Sequence, residues 1–201
     1  MSGIVGSYFN TRGSGVVAKL GTDGQVFTST GAGLSQGFEA AAGGGKILQV
    51  QTVINTGVES VAADSTWNTW TDTTVTITPT AASSKMFILG QLNMSQCNDA
   101  SIRIGRTIDG GSTEGVLIGD ERGSRQRATS GGNQFRTPYE TMQSVAIGVD
   151  VPSYTLTDVL TYFWQGWDNG GTLYINREGI DNDAENDNTS ITSLTVMEIG
   201  A

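Results

Sequence analysis

The sequence predicts an all-β protein, an antiparallel β-sandwich of jelly-roll type that follows an extended, glycine-rich N-terminal segment. Three observations support this fold class. Short runs of β-branched residues alternate with turn signals from residue 46 to the C-terminus, without the periodicity of an amphipathic helix. Glycine accounts for 28 of 201 residues, twice its usual share of about 7%. Charged residues make up 15% of the chain, against about 25% in an average domain, which favours hydroxyl-rich sheets over helices.

The composition of the chain changes at the run Gly43-Gly44-Gly45. Residues 1–45 carry isolated apolar side chains between glycines, too few to enclose a core. We therefore predict that this segment attaches the protein to other surfaces or joins it to its own copies. Residues 46–201 are numerous enough to build one core, and we predict that they form the sandwich domain.

Residues 1–45 contain one clear turn signal, Thr22-Asp23-Gly24. Aspartate bonds the local backbone and glycine accepts a positive φ angle, so this turn predicts a small hairpin between residues 16–20 and 25–29. Residues 34–42 are compatible with one or two helical turns. A hairpin of this size is marginally stable in isolation, which again points to support from another surface.

Strand signals are dense after residue 46. The turn signals Asp109-Gly110-Gly111 and Asp168-Asn169-Gly170-Gly171 each predict a hairpin. Before the first of these turns, Ile102, Ile104 and Ile108 share one face of a strand. Residues 86–94 are apolar almost throughout, which predicts a strand covered on both faces. The predicted strands are residues 46–53, 73–78, 86–94, 102–108, 115–119, 142–149, 156–167, 172–176 and 190–199.

The last predicted strand has apolar residues on both of its faces. Leu194 and Val196 lie on one face, and Ile191, Met197 and Ile199 lie on the other. A strand that is solvated on one face shows polar residues there. This strand is therefore either central in the fold or in contact with a neighbouring subunit, and we favour the second interpretation.

The net charge of −9 restricts the partners of the chain. Nucleic-acid binding requires a cationic surface, and the chain as a whole lacks one. Arg122, Arg125 and Arg127 are interleaved with Asp120 and Glu121, which indicates a solvated or interface ion-pair patch. No run of about 18 apolar residues predicts a membrane span, and we expect no signal peptide.

The residue types of common catalytic sites are scarce. The chain contains no histidine, which removes Ser-His-Asp chemistry and the commonest zinc ligands. Cys97 is the single cysteine, so an internal disulfide is excluded, and its acidic surroundings disfavour a reactive thiolate. Paired carboxylates remain the one arrangement able to cleave a glycoside. We expect a protein without enzymatic activity and without a cofactor, apart from the calcium considered next.

An acidic run near the C-terminus carries the oxygen ligands that calcium prefers. The run departs from the EF-hand pattern, because Asn186 replaces the required glycine and Thr192 replaces the bidentate glutamate. A calcium site and a solvated surface loop both remain open, and the loop is the simpler interpretation. The candidate ligands are Asp181, Asp183, Glu185 and Asp187.

Four tryptophans occur in two pairs, Trp67 with Trp70 and Trp164 with Trp167. Residues three apart in a strand point to opposite faces, so one member of each pair is predicted to lie in the core. The first pair lies among Ser, Thr and Asn residues, which favours a loop or an edge. We therefore select Trp67 and Trp70 as surface residues able to stack on sugar rings or anchor an interface.

Two stretches of the sequence resemble a known family. Residues 20–33, read as LGTDGQVFTSTGAG and followed by Phe38-Glu39, resemble an attachment segment of tail-fibre and other virion proteins of marine and cyanobacterial bacteriophages. A second set of short motifs is similar to the β-rich domain that often follows that segment. These motifs are Ile77-Thr78-Pro79, Ser83-Ser84-Lys85, Gly119-Asp120, Gly123-Ser124-Arg125, Arg127-Ala128, Tyr174-Ile175-Asn176-Arg177 and Val196-Met197-Glu198-Ile199.

The resemblance implies a non-enzymatic virion component, present in the extracellular particle and assembled in the host cytoplasm. It implies a homotrimer that is attached to other virion proteins through residues 1–45. The chain lacks heptads and shaft repeats, which favours a short fibre or tail component over a long fibre. The alternative is a capsid decoration protein or head fibre that stabilises the shell.

The expected contacts of such a component are host cell-surface glycan or partner proteins. We predict no contact with nucleic acid and no insertion into a membrane. The residues that we select for these contacts are Trp67, Trp70, Arg122, Arg125 and Arg127.

Overall fold

The structure is a computed structural model that describes residues 8–11, 15–19, 25–28, 37–40, 46–95, 99–133, 139–185 and 187–200. The chain divides into two compact units, Met1–Gly44 and Gly45–Ala201. Cys97 and the turn at residues 22–24 lie outside the described residues.

The described residues of the N-terminal unit form four short strands, β1 (Tyr8–Thr11), β2 (Gly15–Lys19), β3 (Gln25–Thr28) and β4 (Gly37–Ala40). Strand β1 pairs with β2 and β3 pairs with β4, both antiparallel. The predicted hairpin between residues 16–20 and 25–29 is therefore wrong, because each strand pairs with its other neighbour. The helical turns predicted at 34–42 are also wrong over the part that is described, which is strand β4.

The second unit is an antiparallel β-sandwich, which confirms the predicted fold class. Its described residues contain one short 3-10 turn, Thr71–Thr73, and no α-helix. The strands are β5 (Ile47–Asn55), β6 (Glu59–Ala63), β7 (Asn68–Thr69), β8 (Val75–Ile77), β9 (Lys85–Ser95), β10 (Ala100–Ile108), β11 (Glu114–Val116), β12 (Ser130–Asn133), β13 (Thr141–Asp150), β14 (Leu160–Trp167), β15 (Gly171–Ile175) and β16 (Thr192–Ile199).

Two six-stranded sheets face each other across one core. Sheet I has the order β11-β10-β14-β7, with β12 also paired to β10 and β8 also paired to β14. Sheet II has the order β5-β16-β9-β15-β6, with β13 paired to the other edge of β9. The inner faces carry alternate residues of each strand, so Ile102 and Ile104 of sheet I meet residues such as Ile88 and Leu194 of sheet II in the core.

Two glycines make room for the largest core side chains. A Cβ atom at Gly166 would lie 2.5 Å from Cη2 of Trp70, and one at Gly90 would lie 2.7 Å from Cζ2 of Trp164. Both distances are far below a normal carbon contact. The indole rings therefore lie directly against the backbone of a strand, which only glycine permits.

The turn at Asp168-Asn169-Gly170-Gly171 does not form the predicted hairpin. It connects β14 of sheet I to β15 of sheet II, so the two strands lie in opposite layers. The hairpin predicted at Asp109-Gly110-Gly111 is confirmed, because β10 and β11 pair antiparallel with Gly105 opposite Gly115. A turn signal fixes a local reversal of the chain, whereas the layer that the next strand joins depends on distant strands.

Two carboxylates, Asp150 and Glu198, lie at one end of the core. They are on the strands that flank β9, and each is paired in register with Met86 of that strand. The Glu198 carboxylate accepts hydrogen bonds from the backbone N–H groups of Thr80 and Ala81, at 2.9 and 3.0 Å. Burial raises the pKa of Glu198, but these bonds and those from Gln49 and Ser84 outweigh burial, so its pKa lies below the usual 4.5. Glu198 thus ties the turn after β8 of sheet I to sheet II.

Candidate binding surfaces

An ionic cluster lies beside this polar end, with Arg106 and Asp150 largely buried and Glu114 exposed. Arg106 of β10 donates to Glu114 and, at 2.6 Å, to Asp150 of β13, and the Tyr162 hydroxyl donates to the same Asp150 carboxylate at 2.8 Å. Burial and the charge of Asp150 raise the pKa of Tyr162 far above its usual 10. Each charged group has its partner within the cluster. The arrangement joins the two sheets and offers no group poised for acid–base chemistry.

The outward face of sheet I is covered by its own side chains. The guanidinium of Arg103 lies 4.1 Å from the ring centre of Trp67, and its Nε donates to Gln165 Oε1 at 2.9 Å. Gln165 in turn donates to the Thr69 hydroxyl at 3.1 Å. Trp67 is half-buried, and its selection as a contact residue stays a prediction.

Trp70 is fully buried in the sandwich core, which corrects its selection as a surface contact. The 3-10 turn that follows it draws the chain inward, because the Thr73 hydroxyl donates to the Trp70 carbonyl at 2.7 Å. Trp164 is also fully buried, whereas Trp67 and Trp167 are half-buried. The prediction that one tryptophan of each pair lies in the core is therefore confirmed, but the selection of both Trp67 and Trp70 as surface residues is wrong for Trp70.

The three selected arginines lie on an exposed loop that borders an open groove of about 630 Å³. We call it the arginine groove; Arg122, Arg125, Arg127, Ser130 and the half-buried Trp167 are among its lining residues. Backbone carbonyls orient two of the guanidinium groups. Arg127 donates to Gly119 O at 2.8 Å, and Arg125 donates to Arg122 O at 3.2 Å.

The ion pairs within the described residues involve other arginines, Arg106 and Arg177. The described residues show no ion pair between these arginines and Asp120 or Glu121, and all five side chains are exposed, which agrees with a solvated patch. An ion-pair patch at an interface with another molecule stays a prediction. Within the described residues these three arginines form no ion pair, and Asp120 is the single carboxylate among the lining residues, so the groove carries a local positive charge on a chain of net charge −9. Guanidinium groups bind carboxylates and phosphates in bidentate fashion, so an anionic ligand suits this groove best.

The four carboxylates considered for calcium do not converge. Among the described residues, which omit Asn186, no group of three or more acidic, histidine or cysteine side chains is placed to hold a metal. Asp187 accepts backbone hydrogen bonds from Asn182 and Ala184, at 2.7 and 3.0 Å, and Asp181 pairs with Arg177 at 3.3 Å. These carboxylates close a surface turn. Calcium binding at Asp181, Asp183, Glu185 and Asp187 stays a prediction without support from this geometry.

The outward face of sheet II differs from the outward face of sheet I. Its four adjacent strands β13, β9, β16 and β5 place aliphatic side chains outward, with Ile147 exposed to 64%, Ile54 to 61% and Val145 to 55%. We call this surface the apolar face. Its remaining aliphatic members are Val50, Leu89 and Val149, and the half-buried Phe87 and Met197 lie between them.

The apolar face corrects one sequence interpretation. Strand β9 is not covered on both sides within this chain, because its inward residues are buried and Leu89 on its outward face is 42% exposed. Val145, Ile147 and Val149 lie in the strand predicted at residues 142–149, but they were not recognised as members of an exposed surface. Their strict alternation with small residues was a usable signal, but alternation does not state which face turns inward.

The described residues contain no helix of a length and apolarity that would allow it to cross a membrane. No protein-family model matches this chain, and no curated protein matches it. Among solved structures, a chain described as "Structure of infectious bursal disease virus Gx strain" is similar at a TM-score of 0.35 and 12% identity, over 85% of this chain and 40% of that one. A similarity this distant carries no conclusion about function.

Proposed function

We propose that this chain is a structural component of a bacteriophage virion, a short trimeric fibre or tail component that is attached through residues 1–45 and contributes to contact with the host surface. The attachment-type sequence at residues 20–33 provides the assignment to phage particles. The observation that carries the structural role is the apolar face, because soluble monomers rarely expose contiguous apolar patches of more than a few hundred Å². A protein with such a face works as part of an assembly.

Contact with the host is assigned to the arginine groove. Its three guanidinium groups suit glycans that carry carboxylate or phosphate groups, and the exposed part of Trp167 suits the face of a sugar ring. Each such contact is weak because the groove is open to solvent. Three joined copies raise the overall affinity through effective concentration, without any new contact. The proposed role includes no catalytic step and no cofactor.

Two measurements test this function. The first is the protein composition of purified particles of the phage that encodes the chain, in which the chain must be present in a fixed copy number. Its absence from particles would overturn the proposal. The second is binding of the purified protein to envelopes of the host, with Arg122, Arg125 and Arg127 all changed to serine. We expect the serine variant to lose binding.

A matched control is the variant with all three arginines changed to lysine. Lysine retains the charge but not the planar, bidentate donor geometry. Partial binding by this variant would indicate that charge alone attracts the ligand, and full loss would indicate bidentate recognition. Equal binding by the wild type and the serine variant would remove the groove from the proposed role.

A capsid decoration or head-fibre protein is the second candidate, and the apolar face is the observation that allows it. The lattice of a shell could cover the same surface and be stabilised by it. The copy number per particle separates the two candidates. A number that matches the capsid subunits favours decoration, and a number that matches one tail structure favours the fibre.

A further inference from the structure

We infer that the apolar face is the surface through which copies of this chain contact one another, with the same faces of the other two copies, turned towards a common three-fold axis, as its occupant. The inference deepens the proposed function, since it assigns the surface that joins the copies of the proposed oligomer. Four observations support the inference: the orientation of β13, the area of the apolar face, the charge of the apolar face, and the exposed edge strand that borders it.

Strand β13 has its side chains arranged in the reverse of the usual order. The large residues Val145, Ile147 and Val149 point to solvent, whereas Ser144 and Ala146 point into the core. Period-two alternation normally turns the larger apolar set inward. In β13, small side chains face the core and three larger β-branched side chains face the solvent. These larger side chains therefore find a hydrophobic contact only on another molecule.

The neighbouring sheet fixes this orientation. A Cβ atom at Gly148 would lie 2.7 Å from Cδ2 of Leu117, the residue that follows β11 of sheet I, so the space inside β13 is already filled. A one-residue slip would bring Val149 or Ile147 into that space and overpack it. The outward position of the large residues is therefore a consequence of tight packing inside the sandwich, and not of a loose edge.

The apolar residues of β13 continue across the other three strands. The pairing registers place Val149, Phe87, Met197 and Val50 in one row across the four strands, and Val145 and Ile54 at the two ends of another row. At normal strand spacing and rise, four strands of this length present a face of roughly 20 by 30 Å. That area, about 600 Å², is of the same order as the roughly 800 Å² that each partner contributes to a stable interface.

The charge of the face favours copies of this chain over a different partner. The chain has 20 acidic residues, yet the outward positions of β13, β9, β16 and β5 include no carboxylate and a single cation, Lys85. In a contact between copies every charge lies in both partners, so like charges oppose and are disfavoured. A different partner could instead have supplied a cationic surface for carboxylates.

The polar residues of the face are also suited to contact with their own kind. Thr52 and Thr195 share a hydrogen bond at 3.0 Å, and Gln91 and Ser193 lie in the next row. Hydroxyl and amide groups both donate and accept hydrogen bonds, so each can pair with the same group in another copy. The face is thereby self-complementary in both its apolar and its polar parts.

The exposed edge of sheet II, strand β13, also supports contact between copies. Strand β13 has ten residues, pairs without a bulge and, within the described residues, pairs only with β9. It lacks the lysine, proline or bulge that normally protects an exposed edge strand. A long, regular, apolar edge of this kind is an aggregation hazard unless the working assembly covers it.

The test is sedimentation of the full chain over a range of concentrations, together with two charge variants. We expect the wild type to sediment as an oligomer. Ile147→Glu places a carboxylate at the centre of the face, and we expect its dissociation constant to rise on the order of a hundredfold or more. Thr52→Glu makes the same change at a polar, exposed position of the face, and it keeps the test valid if the first variant folds poorly.

The matched control is Leu156→Glu, which alters an aliphatic residue of similar exposure, 51%, in a turn outside the face. We expect this variant to remain an oligomer. Amide hydrogen exchange across residues 141–150 provides a second readout, with protection of β13 in the wild-type oligomer that is lost in Ile147→Glu.

Each alternative outcome has a definite meaning. A wild type that is monomeric at all concentrations overturns the inference and the homo-oligomer, while presence in purified particles still supports the virion role. A wild-type oligomer that Ile147→Glu and Thr52→Glu leave intact overturns the assignment of the face only. A monomer whose face is occupied by another particle protein, shown by cross-linking within particles, also overturns it.

Discussion

The outward faces of the two sheets of this sandwich differ in how they are completed. On sheet I, the outward residues Phe163 and Gln165 are 7% and 4% exposed, because neighbouring side chains of the same chain cover them. On sheet II, Leu89 of β9, a strand that is likewise paired on both sides, is 42% exposed, and Ile147 of the edge strand β13 is 64% exposed. Sheet I is finished within the chain by a hydrogen-bonded and stacked network. Sheet II leaves aliphatic residues of its outward face exposed to solvent.

This comparison shows that the composition of a strand does not by itself reveal where its hydrophobic contacts are made. Both sheets have one apolar inward face and contribute to one core. The outward faces of the two sheets are expected to have different roles. Stability of the isolated chain should depend on the face of sheet I, and assembly should depend on the face of sheet II.

The largest effect is expected where the two sheets are tied together. Replacing Arg106 with alanine leaves the Asp150 carboxylate, which is 11% exposed, without its cation. An uncompensated buried charge should lower the free energy of unfolding by about 3–5 kcal/mol. Denaturant unfolding measures the loss. Arg122→Ala, on an exposed loop, is the control and should change stability by less than about 0.5 kcal/mol.

The second largest effect on stability is expected at Glu198, whose hydrogen bonds also connect the two sheets. Its pKa in the folded chain is lowered, so the stability that it contributes is present above its unfolded pKa and is lost as the pH falls through the folded value, below 4.5. We expect Glu198→Gln to destabilise the chain at neutral pH by about 1.5–3 kcal/mol, since hydrogen bonds to a charged group are lost.

Thermal unfolding of Glu198→Gln and of the wild type over pH 3 to 7, roughly the window of carboxyl titration, measures this effect. The difference between the two proteins should shrink towards the acidic end. A difference that stays constant with pH would show that the carboxylate charge is not what stabilises the turn after β8.

A smaller decrease in the free energy of unfolding should follow from removing Gln165 from the hydrogen-bonded network on sheet I. Gln165→Ala removes the acceptor for Arg103 and the donor to Thr69. We expect a loss of about 1–3 kcal/mol, because a largely buried donor is left without its partner. The loss should be the same at every protein concentration, which unfolding at two widely separated concentrations would check.

The smallest effect on the isolated chain is expected at the apolar face. Ile147→Ser alters a large aliphatic residue, yet below the assembly concentration it should change stability by less than about 0.5 kcal/mol, because the side chain is already in water. Above that concentration the wild type should gain stability that the variant lacks. If Ile147→Ser lowers the free energy of unfolding of the dilute chain more than Gln165→Ala does, the proposed difference between the two outward faces is wrong.

Much of the second unit could be predicted from local signals. The alternation around Ile102 and Ile104 identified an inward face, and Asp109-Gly110-Gly111 identified a hairpin, because both depend on residues within a few positions of each other. In the candidate sites, the arginine cluster was visible as a cluster in the sequence. The network of Arg103 with Trp67 was not, because 36 positions separate the two residues.

The sequence by itself determined the fold class, the places of most strands and the composition of the loops, since backbone periodicity and turn chemistry act over short distances. Tertiary structure alone decided which layer a strand joins and which of its faces turns inward. Leu117 fills the space beside Gly148 and so turns Ile147 outward, and the glycine at 166 admits the ring of Trp70 to the core. These choices depend on the volume that distant strands leave free, which no local pattern records.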